Sequence, residues 1–301
     1  MKVLLIGANG QLGNDLLRVF RTAGDTVTPA AHAQVDVCSE DRVREMMIEA
    51  KPDVVLNTAA FHKVEECEKR PALAFQVNGI GAMNLARACK RLGAVLVHFS
   101  TDYVFDGQKN TPYEETDLPS PLNVYGVSKL AGEHMIACNA DRFFVIRTCG
   151  LYGVAGSSGK GGNFVENMLK KAMTGEAIRV VDDQVLTPTY TVDLAEATRN
   201  LILTDKFGLY HISSEGQCSW YEFTRSIFEF VGVDAQLTPV KTGDFRSSVK
   251  RPSYSVLSKA KLRALGLSIP SWQDALSRYV WERSKKNLLE STAPVPASSV
   301  E

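Results

Sequence analysis

The stretch Met1-Lys2-Val3-Leu4-Leu5-Ile6-Gly7-Ala8-Asn9-Gly10-Gln11-Leu12-Gly13 decides the fold of this chain. Its first six residues form a short apolar run, which is typical of a buried strand in a parallel sheet. Three glycines spaced three residues apart follow, and the pattern from Asp15 to Arg21 then predicts an amphipathic helix. A glycine-rich turn between a strand and a helix indicates a dinucleotide-binding unit.

Each glycine of this turn has an expected role. Gly7 permits the tight turn, Gly10 lets the backbone approach a pyrophosphate, and Gly13 lets the helix pack close to the strand. The free N–H groups and the partial positive charge of the helix N-terminus favour phosphate. The alternative is a turn with a purely structural role. The residues of the turn that we predict to bind the dinucleotide are Gly7, Asn9, Gly10, Gln11, Leu12 and Gly13.

Strands and helices alternate through the first half of the chain. Apolar runs at 53–58, 94–100 and 142–147 predict buried strands, and 72–92 has a long helical pattern. This alternation predicts an α/β fold, a Rossmann-like, doubly wound parallel sheet with helices on both faces. Ligands bind such sheets at the carboxyl ends of the strands. The strand ends at Gly7, Ala59-Ala60 and Ser100-Thr101 should therefore converge on one crevice.

The pattern loosens after Tyr152. We expect a dinucleotide-binding domain over 1–152 and a smaller, mixed α/β substrate-binding lobe over 153–284, some of which returns to the main sheet, for example at Leu209–Ile212. The final stretch, 285–301, is rich in Ser, Pro and Ala, which predicts a disordered tail.

Composition excludes several classes of function. The chain has 301 residues with 34 basic and 34 acidic side chains, so it has no charge excess of the kind that binds nucleic acid or a membrane surface. The six cysteines are scattered, which predicts no zinc site, no disulfide framework and a reducing, cytoplasmic location. No segment approaches 18 consecutive apolar residues, so no membrane span is expected.

A second motif, Tyr125-Gly126-Val127-Ser128-Lys129, opens a predicted helix. Tyr125 and Lys129 are four residues apart and share one helix face, where a nearby ammonium favours the ionised phenol. Thr101, which ends an earlier strand, can add a hydroxyl group at the same point. Two common residues four apart are also found on ordinary solvated helices, so the motif gains weight from the glycine turn.

The chain is similar to the dTDP-4-dehydrorhamnose reductase family of extended short-chain dehydrogenases, in which GxxGxxG and YxxxK occur together. Residues 100–107 read STDYVFDG, and residues 120–133 read SPLNVYGVSKLAGE, both similar to signatures of the family. Further similar blocks are Asn57-Thr58-Ala59-Ala60, Asp183-Gln184 with Thr187-Pro188-Thr189, and Arg251-Pro252 with Ser255 and Leu257. Together these blocks extend from Met1 to about Arg283.

The resemblance implies reduction of the C4 ketone of dTDP-4-dehydro-L-rhamnose by NADPH or NADH. Tyr125 would protonate the developing oxyanion, Thr101 would donate a hydrogen bond to it, and Lys129 would contact the nicotinamide ribose and keep the pKa of Tyr125 low. Asn78 would prop the active site. The implied catalytic residues are Thr101, Tyr125, Lys129 and Asn78.

The resemblance also implies binding positions. Asp36 and Val37 would lie at the adenine, and Phe61 and His62 near the nicotinamide. The complete cofactor set adds Ala59, Ala60, Tyr125 and Lys129 to these four and to the glycine turn. For the nucleotide-sugar substrate the implied residues are Val64, Thr101, Asp102, Tyr125 and Arg251, with Arg251 and Lys160 as candidates to clamp its two phosphates.

Several features leave alternatives open. The loop at 26–32 has neither an acid for a ribose hydroxyl nor an Arg for a 2′-phosphate, although His32 is a candidate for the latter. Gly150 replaces a family Trp that packs on the substrate, which leaves the exact sugar open. Some relatives use Mg²⁺ at a dimer interface, and Asp15 lies near the corresponding helix. We do not expect Mg²⁺ here, and a homodimer is left open.

Other functions fit the same fold. One is reduction of a different nucleotide 4-keto sugar. Another is a dinucleotide-binding regulator without turnover, resembling the regulatory subunit of methionine adenosyltransferase. A third, nucleotide-sugar epimerisation or dehydration, is disfavoured because Asp102 is followed by Tyr103 rather than by the Glu of the dehydratases.

Overall fold

A six-stranded parallel sheet forms the centre of the computed structural model, which describes residues 1–155, 162–245 and 249–292, with side chains to 286. Its strands are β1 (Lys2–Ile6), β2 (Thr26–Ala30), β3 (Val54–Asn57), β4 (Val95–Thr101), β5 (Phe143–Thr148) and β10 (Gly208–His211). They lie in the order β10-β5-β4-β3-β1-β2. The order runs outward in both directions from β1, so the predicted doubly wound α/β fold is confirmed.

Helices cover both faces of this sheet. They are α1 (Gln11–Thr22), α2 (Glu40–Ala50), α3 (Val64–Lys69), α4 (Pro71–Phe75), α5 (Gly81–Leu92), α6 (Val124–Asn139) and α8 (Thr191–Ile202). Side chains alternate between the faces along each strand. Leu5 and Leu56 pack with Leu16 of α1 in one core, and Leu4 packs with Leu85 of α5 in the other.

The remaining elements are β6 (Leu151–Tyr152), α7 (Phe164–Met173), β7 (Ile178–Val181), β8 (Val185–Leu186), β9 (Thr189–Tyr190), β11 (Cys218–Ser219), α9 (Trp220–Val231), β12 (Leu237–Val240), α10 (Ala260–Arg263) and α11 (Trp272–Thr292). Most of them form a third core beside the sheet, whereas Leu262 of α10 packs in the same core as Leu5. The rings of Tyr152, Tyr190, Phe223 and Tyr279 pack against one another at the centre of the third core. β10 joins the main sheet beside β5, where the sequence predicts a returning strand. The boundary at 152/153 stays a prediction.

The helical stretch at 72–92 contains one wide turn that the sequence does not reveal. A π-helical segment, Gln76–Ile80, separates α4 from α5. Two glycines make room for it: a Cβ on Gly81 would lie 2.7 Å from Val37 Cγ2, and a Cβ on Gly132 of α6 would lie 2.3 Å from the Asn78 carbonyl oxygen. The wider turn carries Asn78, as such turns often carry functional residues.

The predicted disordered tail is wrong for residues 285–292, because α11 continues to Thr292. The stretch Lys285-Lys286-Asn287-Leu288-Leu289-Glu290 is rich in good helix formers and extends a helix already anchored by buried Leu276 and Tyr279. The Ser, Pro and Ala residues that suggested disorder are concentrated further on, and residues 293–301 lie outside the described part of the chain.

The glycine turn has almost no free space. Gly7 has φ +81°, and a Cβ there would lie 2.5 Å from Thr58 Oγ1. A Cβ on Gly13 would lie 2.3 Å from the Gly7 carbonyl oxygen and 2.9 Å from Ala8 Cα. The expected roles of Gly7 in the turn and of Gly13 in close helix packing are confirmed.

We expect Gly13→Ala to lower the free energy of unfolding by about 1–3 kcal/mol, because the backbone atoms it meets can move only by distorting the turn. Gly243→Ala is the matched control, since a Cβ there has open space, and it should change stability by less than about 0.5 kcal/mol. Urea unfolding measures both. Equal stability of the two variants would show that the turn tolerates a side chain.

Candidate active site

The carboxyl ends of β1, β3 and β4 open into a cavity of about 510 Å³. Its floor is the glycine turn, and its walls come from α6, the β5 end and the third core. Many of the predicted site residues line it: Gly10, Gln11, Leu12, Gly13, Ala60, His62, Val64, Thr101, Asp102, Tyr125 and Lys129. The glycine turn, Ala60 and Thr101 thus meet at one cavity, as the strand-end argument predicts, and Tyr125 and Lys129 join them from helix α6.

The floor has the form of an anion site. Helix α1 starts at Gly10 without a side-chain cap on its first N–H groups, and its first turn has no acidic side chain. The turn exposes bare backbone to the cavity, because the close contacts at Gly7 and Gly13 exclude larger residues. Free N–H groups at the positive end of a helix suit the phosphates of a dinucleotide, so the residues present fit such a cofactor.

Asn78 holds the loop that follows β3. Its Oδ1 accepts a hydrogen bond from the Phe61 N–H at 2.9 Å, and its Nδ2 donates to the Phe61 carbonyl at 3.0 Å and to Ser128 Oγ at 2.9 Å. The amide is fully buried. It ties the loop to α6 one residue before Lys129, so Asn78 supports the cavity wall and does not line the cavity itself.

Tyr125 and Thr101 meet at the centre of the cavity. The two side chains hydrogen bond to each other, and burial raises the pKa of Tyr125 above its usual value. Tyr103 packs edge-on against the Tyr125 ring with centroids 5.9 Å apart. A phenol with a raised pKa stays protonated at neutral pH, and the protonated form is the one that can donate a proton.

Lys129 is held by the β4 strand on the inner side of the cavity wall. Its Nζ donates to the Phe99 carbonyl at 2.6 Å and lies 3.0 Å from His98 Nε2. Burial lowers the pKa of Lys129 to about 8. The expectation that Lys129 keeps the pKa of Tyr125 low is therefore wrong for this arrangement, because burial dominates at the phenol and Lys129 Nζ is held by the Phe99 carbonyl of β4.

A buried ion pair supports the base of α6. Arg147 of β5 makes a bidentate contact with Glu133, with Nη2 to Oε2 at 2.7 Å and Nε to Oε1 at 3.0 Å. Ser100 Oγ also donates to Glu133. Both charges are almost completely buried, and their mutual pairing leaves Lys129 without a direct carboxylate contact to Glu133.

Asp102 lies next to Thr101 and is fully buried. It accepts hydrogen bonds from Ser255 Oγ at 2.6 Å and from Thr101 Oγ1 at 3.0 Å. Burial raises the pKa of Asp102 to about 6. Because the Thr101 hydroxyl has one proton, it must turn away from Asp102 before it can donate to a substrate oxygen.

Other predicted residues lie off the cavity lining. Arg251 forms an ion pair with Glu65 of α3 and hydrogen bonds with Tyr103, so as a phosphate clamp it would have to release both. Asp36 is exposed and accepts from the Cys38 N–H, while Val37 is buried against Gly81. Lys160 lies outside the described residues. Gly7, Asn9, Ala59 and Phe61 belong to the two loops that frame the cavity.

Asp15 is not arranged as a metal ligand. It accepts hydrogen bonds from Thr191 Oγ1 at 2.5 Å and from Arg18 at 3.2 Å. Within the described residues, no group of three or more His, Cys, Asp and Glu side chains could hold a metal ion. The same part of the chain has no helix long and apolar enough to cross a membrane.

Sequence reasoning assigned no role to several residues at the site. Ser255, which binds Asp102, is 153 positions away from it along the chain. His98 contacts Lys129 on one side of its ring and Asn57 on the other, and both His98 and Asn57 look like ordinary strand residues in the sequence. Phe164 and Trp220 form an aromatic wall with ring centroids 4.3 Å apart. The only available signal was the set of family blocks, which include Asn57 and Ser255.

Comparison with known proteins agrees with this geometry. The model of the family "RmlD substrate binding domain" matches residues 1–285. The chain belongs to this family. It is 42% identical to the spore coat polysaccharide biosynthesis protein SpsK of Bacillus subtilis. This match covers 94% of this chain and 98% of that protein. It is 36% identical to a dTDP-4-dehydrorhamnose reductase of Burkholderia thailandensis, over 92% of this chain and 97% of that protein.

A solved structure of a dTDP-4-dehydrorhamnose reductase is also similar. The dTDP-4-dehydrorhamnose reductase of Bacillus anthracis, crystallised in complex with NADP, matches with a TM-score of 0.89 and 38% identity. The match covers 94% of this chain and all of that one. The fold similarity extends through the third core as well as the sheet.

Burial of Asp102 makes the stability of the folded protein fall as pH rises. Its folded pKa of about 6 lies above the unfolded value of 3.8, so between these values the folded protein holds a proton that the unfolded chain releases. The carboxylate therefore destabilises the fold as pH rises from about 4 to 6. Relative to wild type, Asp102→Asn should gain up to about 3 kcal/mol across this window, at 1.36 kcal/mol per pKa unit.

Urea unfolding of both proteins at pH 4, 5, 6 and 7 measures this difference. The difference should stop growing above about pH 7. A difference between Asp102→Asn and wild type that stays constant across the series would show that the carboxyl ionises in the folded protein as it does in water.

Proposed function

We infer that this protein is an NADPH-dependent dTDP-4-dehydrorhamnose reductase, which reduces the C4 ketone of dTDP-4-dehydro-L-rhamnose to dTDP-L-rhamnose. The observation that carries this conclusion is the meeting of Thr101, Tyr125 and Lys129 above an uncapped glycine turn in one cavity. The family match over 1–285 and the NADP complex of the B. anthracis relative support the substrate and the cofactor.

The cofactor would lie on the glycine turn, with its phosphates at the start of α1 and its nicotinamide near Ala60 and His62. When bound, it supplies the hydride. Tyr125 stays protonated because its pKa is raised, and it donates that proton to the oxygen on which negative charge develops. Thr101 turns from Asp102 to donate a hydrogen bond to the same oxygen. The lowered pKa of Lys129, about 8, is close enough to neutral pH for this side chain to exchange protons at the site.

The substrate would enter from the side of the third core. Val64, Asp102 and the Phe164–Trp220 wall line this part of the cavity. Arg251 would leave Glu65 to bind the diphosphate. We propose these substrate contacts because the residues line the cavity. We also propose that Asp36, Val37, Ala59 and Phe61 bind the cofactor.

A different nucleotide 4-keto sugar is the second candidate substrate. Gly150 lies on the cavity lining with φ +58°, and a Cβ there would lie 3.0 Å from Leu186 Cδ1 and 3.0 Å from Pro188 Cα. A family Trp that packs on the sugar is therefore replaced by bare backbone. Trp220 also lines the cavity and supplies an aromatic surface from another part of the chain, which changes the shape offered to the sugar ring.

The cellular setting follows from the cysteines. All six are free, and four of them are buried. Free thiols persist in a reducing compartment, so we propose a cytoplasmic location. A homodimer stays a prediction that size-exclusion chromatography with light scattering would test.

The decisive assay follows loss of reduced cofactor with dTDP-4-dehydro-L-rhamnose, and in parallel with a dTDP-4-keto-6-deoxy-D-glucose preparation. We expect oxidation of NADPH with the first substrate. Net oxidation with only the second would establish the other sugar. A protein that binds NADPH without oxidising it in either reaction would be a regulator, and one that converts substrate without net oxidation would be an epimerase or dehydratase.

Tyr125→Phe should lower kcat by about a hundredfold or more, which is the usual effect of losing a positioned acid. NADPH affinity should change little, since the ring and its packing stay. The control is Tyr210→Phe, on the outer strand β10. This variant loses only the hydrogen bond from the Tyr210 hydroxyl to the Lys206 carbonyl. Wild-type turnover of Tyr125→Phe would exclude Tyr125 as the proton donor.

Lys129→Met should weaken both kcat and NADPH affinity, because the ammonium is the predicted partner of the nicotinamide ribose. Turnover kinetics and a fluorescence titration of NADPH measure the two effects separately. Unchanged NADPH affinity together with reduced kcat would remove the ribose contact and leave Lys129 with an effect on chemistry alone.

A further inference from the structure

A row of buried polar groups runs behind Lys129, away from the cavity. Lys129 Nζ lies 3.0 Å from His98 Nε2, and on the far side of the ring His98 Nδ1 lies 2.9 Å from Asn57 Nδ2. Each of the three residues is no more than 2% exposed. Buried polar groups need hydrogen-bond partners, so the protons in this row are constrained.

The row ends at the backbone of the loop that follows β3. This loop carries Ala59 and Ala60 and is called the cofactor loop below. Asn57 and His98 are direct partners in the pairing of β3 with β4. Asn57 Oδ1 accepts the N–H of Ala59 at 3.1 Å. The next residue, Ala60, lines the cavity. A change at Lys129 can therefore reach the loop through two side chains.

With the Asn57 amide nitrogen facing His98, the row requires a neutral Lys129. A side-chain amide nitrogen only donates, so His98 Nδ1 must accept from Asn57 Nδ2. A neutral imidazole has one N–H, which must then be on Nε2 and must donate to the lone pair of a neutral Lys129 amine. In this arrangement Asn57 uses both its donor and its acceptor, and Ala59 N–H is satisfied.

A charged Lys129 requires a different arrangement. An ammonium group only donates, so His98 Nε2 must accept and the ring proton must be on Nδ1. Nδ1–H would then point at Asn57 Nδ2, and two donors would face each other. The amide must turn over to present Oδ1 to the ring, and it then gives up the Ala59 N–H.

We propose that His98 is a tautomeric switch that couples the protonation state of Lys129 to the orientation of the Asn57 amide and thereby to the backbone of Ala59. When Lys129 loses its proton to solvent, the imidazole keeps one proton throughout and carries it on Nε2 instead of Nδ1. His98 is thus a positioning residue that acts through Lys129 and Asn57.

The neighbouring charges are consistent with this assignment. Glu133 of α6 is the acid that acts electrostatically on Lys129, and Arg147 of β5 and Ser100 of β4 hold its carboxylate. Tyr125 lies one turn earlier on α6 with its pKa raised. Burial holds the pKa of His98 well below its usual value, so the ring stays neutral while Lys129, with a pKa of about 8, titrates.

The consequence for catalysis rests on the proposed function. If Ala59 and Ala60 hold the nicotinamide end of the cofactor, the charge on Lys129 and the shape of that loop change together. A proton exchanged at the site would then be accompanied by an adjustment of the cofactor loop, through hydrogen bonds alone.

The test is an NMR titration of the full chain without ligands, with ¹⁵N in the histidine rings and ¹³C at the lysine ε-carbons. Ring ¹⁵N shifts distinguish a nitrogen that carries a proton from one that accepts. We expect His98 to be Nδ1–H at low pH and Nε2–H at high pH, with the same midpoint as Lys129, about pH 8. His98→Gln and Lys129→Met assign the two signals.

His211 provides an internal control. It is also buried, but its Nδ1 lies 3.0 Å from the Tyr113 carbonyl oxygen, which only accepts. His211 must therefore keep its proton on Nδ1 across the same pH range. A His98 ring that behaves like His211, with one tautomer throughout while Lys129 titrates, would overturn the proposal.

The variant Asn57→Asp should abolish the tautomer change of His98 while Lys129 can still titrate. A carboxylate accepts from both His98 Nδ1–H and Ala59 N–H, so it fixes the Nδ1 tautomer and favours a charged Lys129. We expect no tautomer change and a Lys129 midpoint raised by about one pH unit or more. A tautomer change that persists in this variant would also overturn the proposal. Because the titration uses no substrate, its result is independent of whether the reductase assay succeeds.

Discussion

The contact between the Gly7 turn and Thr58 is the constraint on which the site depends. Thr58 Oγ1 lies 2.8 Å from the Ile6 carbonyl oxygen and 3.1 Å from the Gly7 carbonyl oxygen, and its single proton is shared between these two acceptors. The ends of β1 and β3 are therefore bound to each other. No side chain fits at Gly7 or Gly13. This contact fixes the start of α1, the loop that carries Ala59 and Ala60, and hence the floor and one wall of the cavity.

Burial controls the chemistry of the groups above that floor. It raises the pKa of Tyr125 and of Asp102 and lowers that of Lys129. All three shifts favour the uncharged form, as expected for polar groups in a medium that solvates charge poorly. Perturbed groups in a cleft are a mark of a functional site, and here they surround a turn suited to phosphate.

Much of the fold and part of the site could be predicted from local patterns. The glycine turn, the alternating strands and helices, and the YxxxK pair each report on backbone requirements within about 20 residues, and these hold wherever the pattern occurs. The convergence of the glycine turn, Ala60 and Thr101 also followed, because parallel strands end at the same edge. The tail from 285 was misjudged because residues 285–290 are good helix formers that extend a helix anchored by tertiary packing, and the Ser, Pro and Ala residues begin only after them.

The sequence by itself determined the α/β class, the glycine turn suited to phosphate and the side chains that we propose to react, because these depend on residue type and short spacing. Only the tertiary structure decided which groups those side chains meet. Lys129 faces His98 and the β4 backbone, Asp102 meets Ser255 from the far end of the chain, and Arg251 is paired with Glu65. These contacts arise from strand register and from the packing of distant elements, which no local pattern encodes.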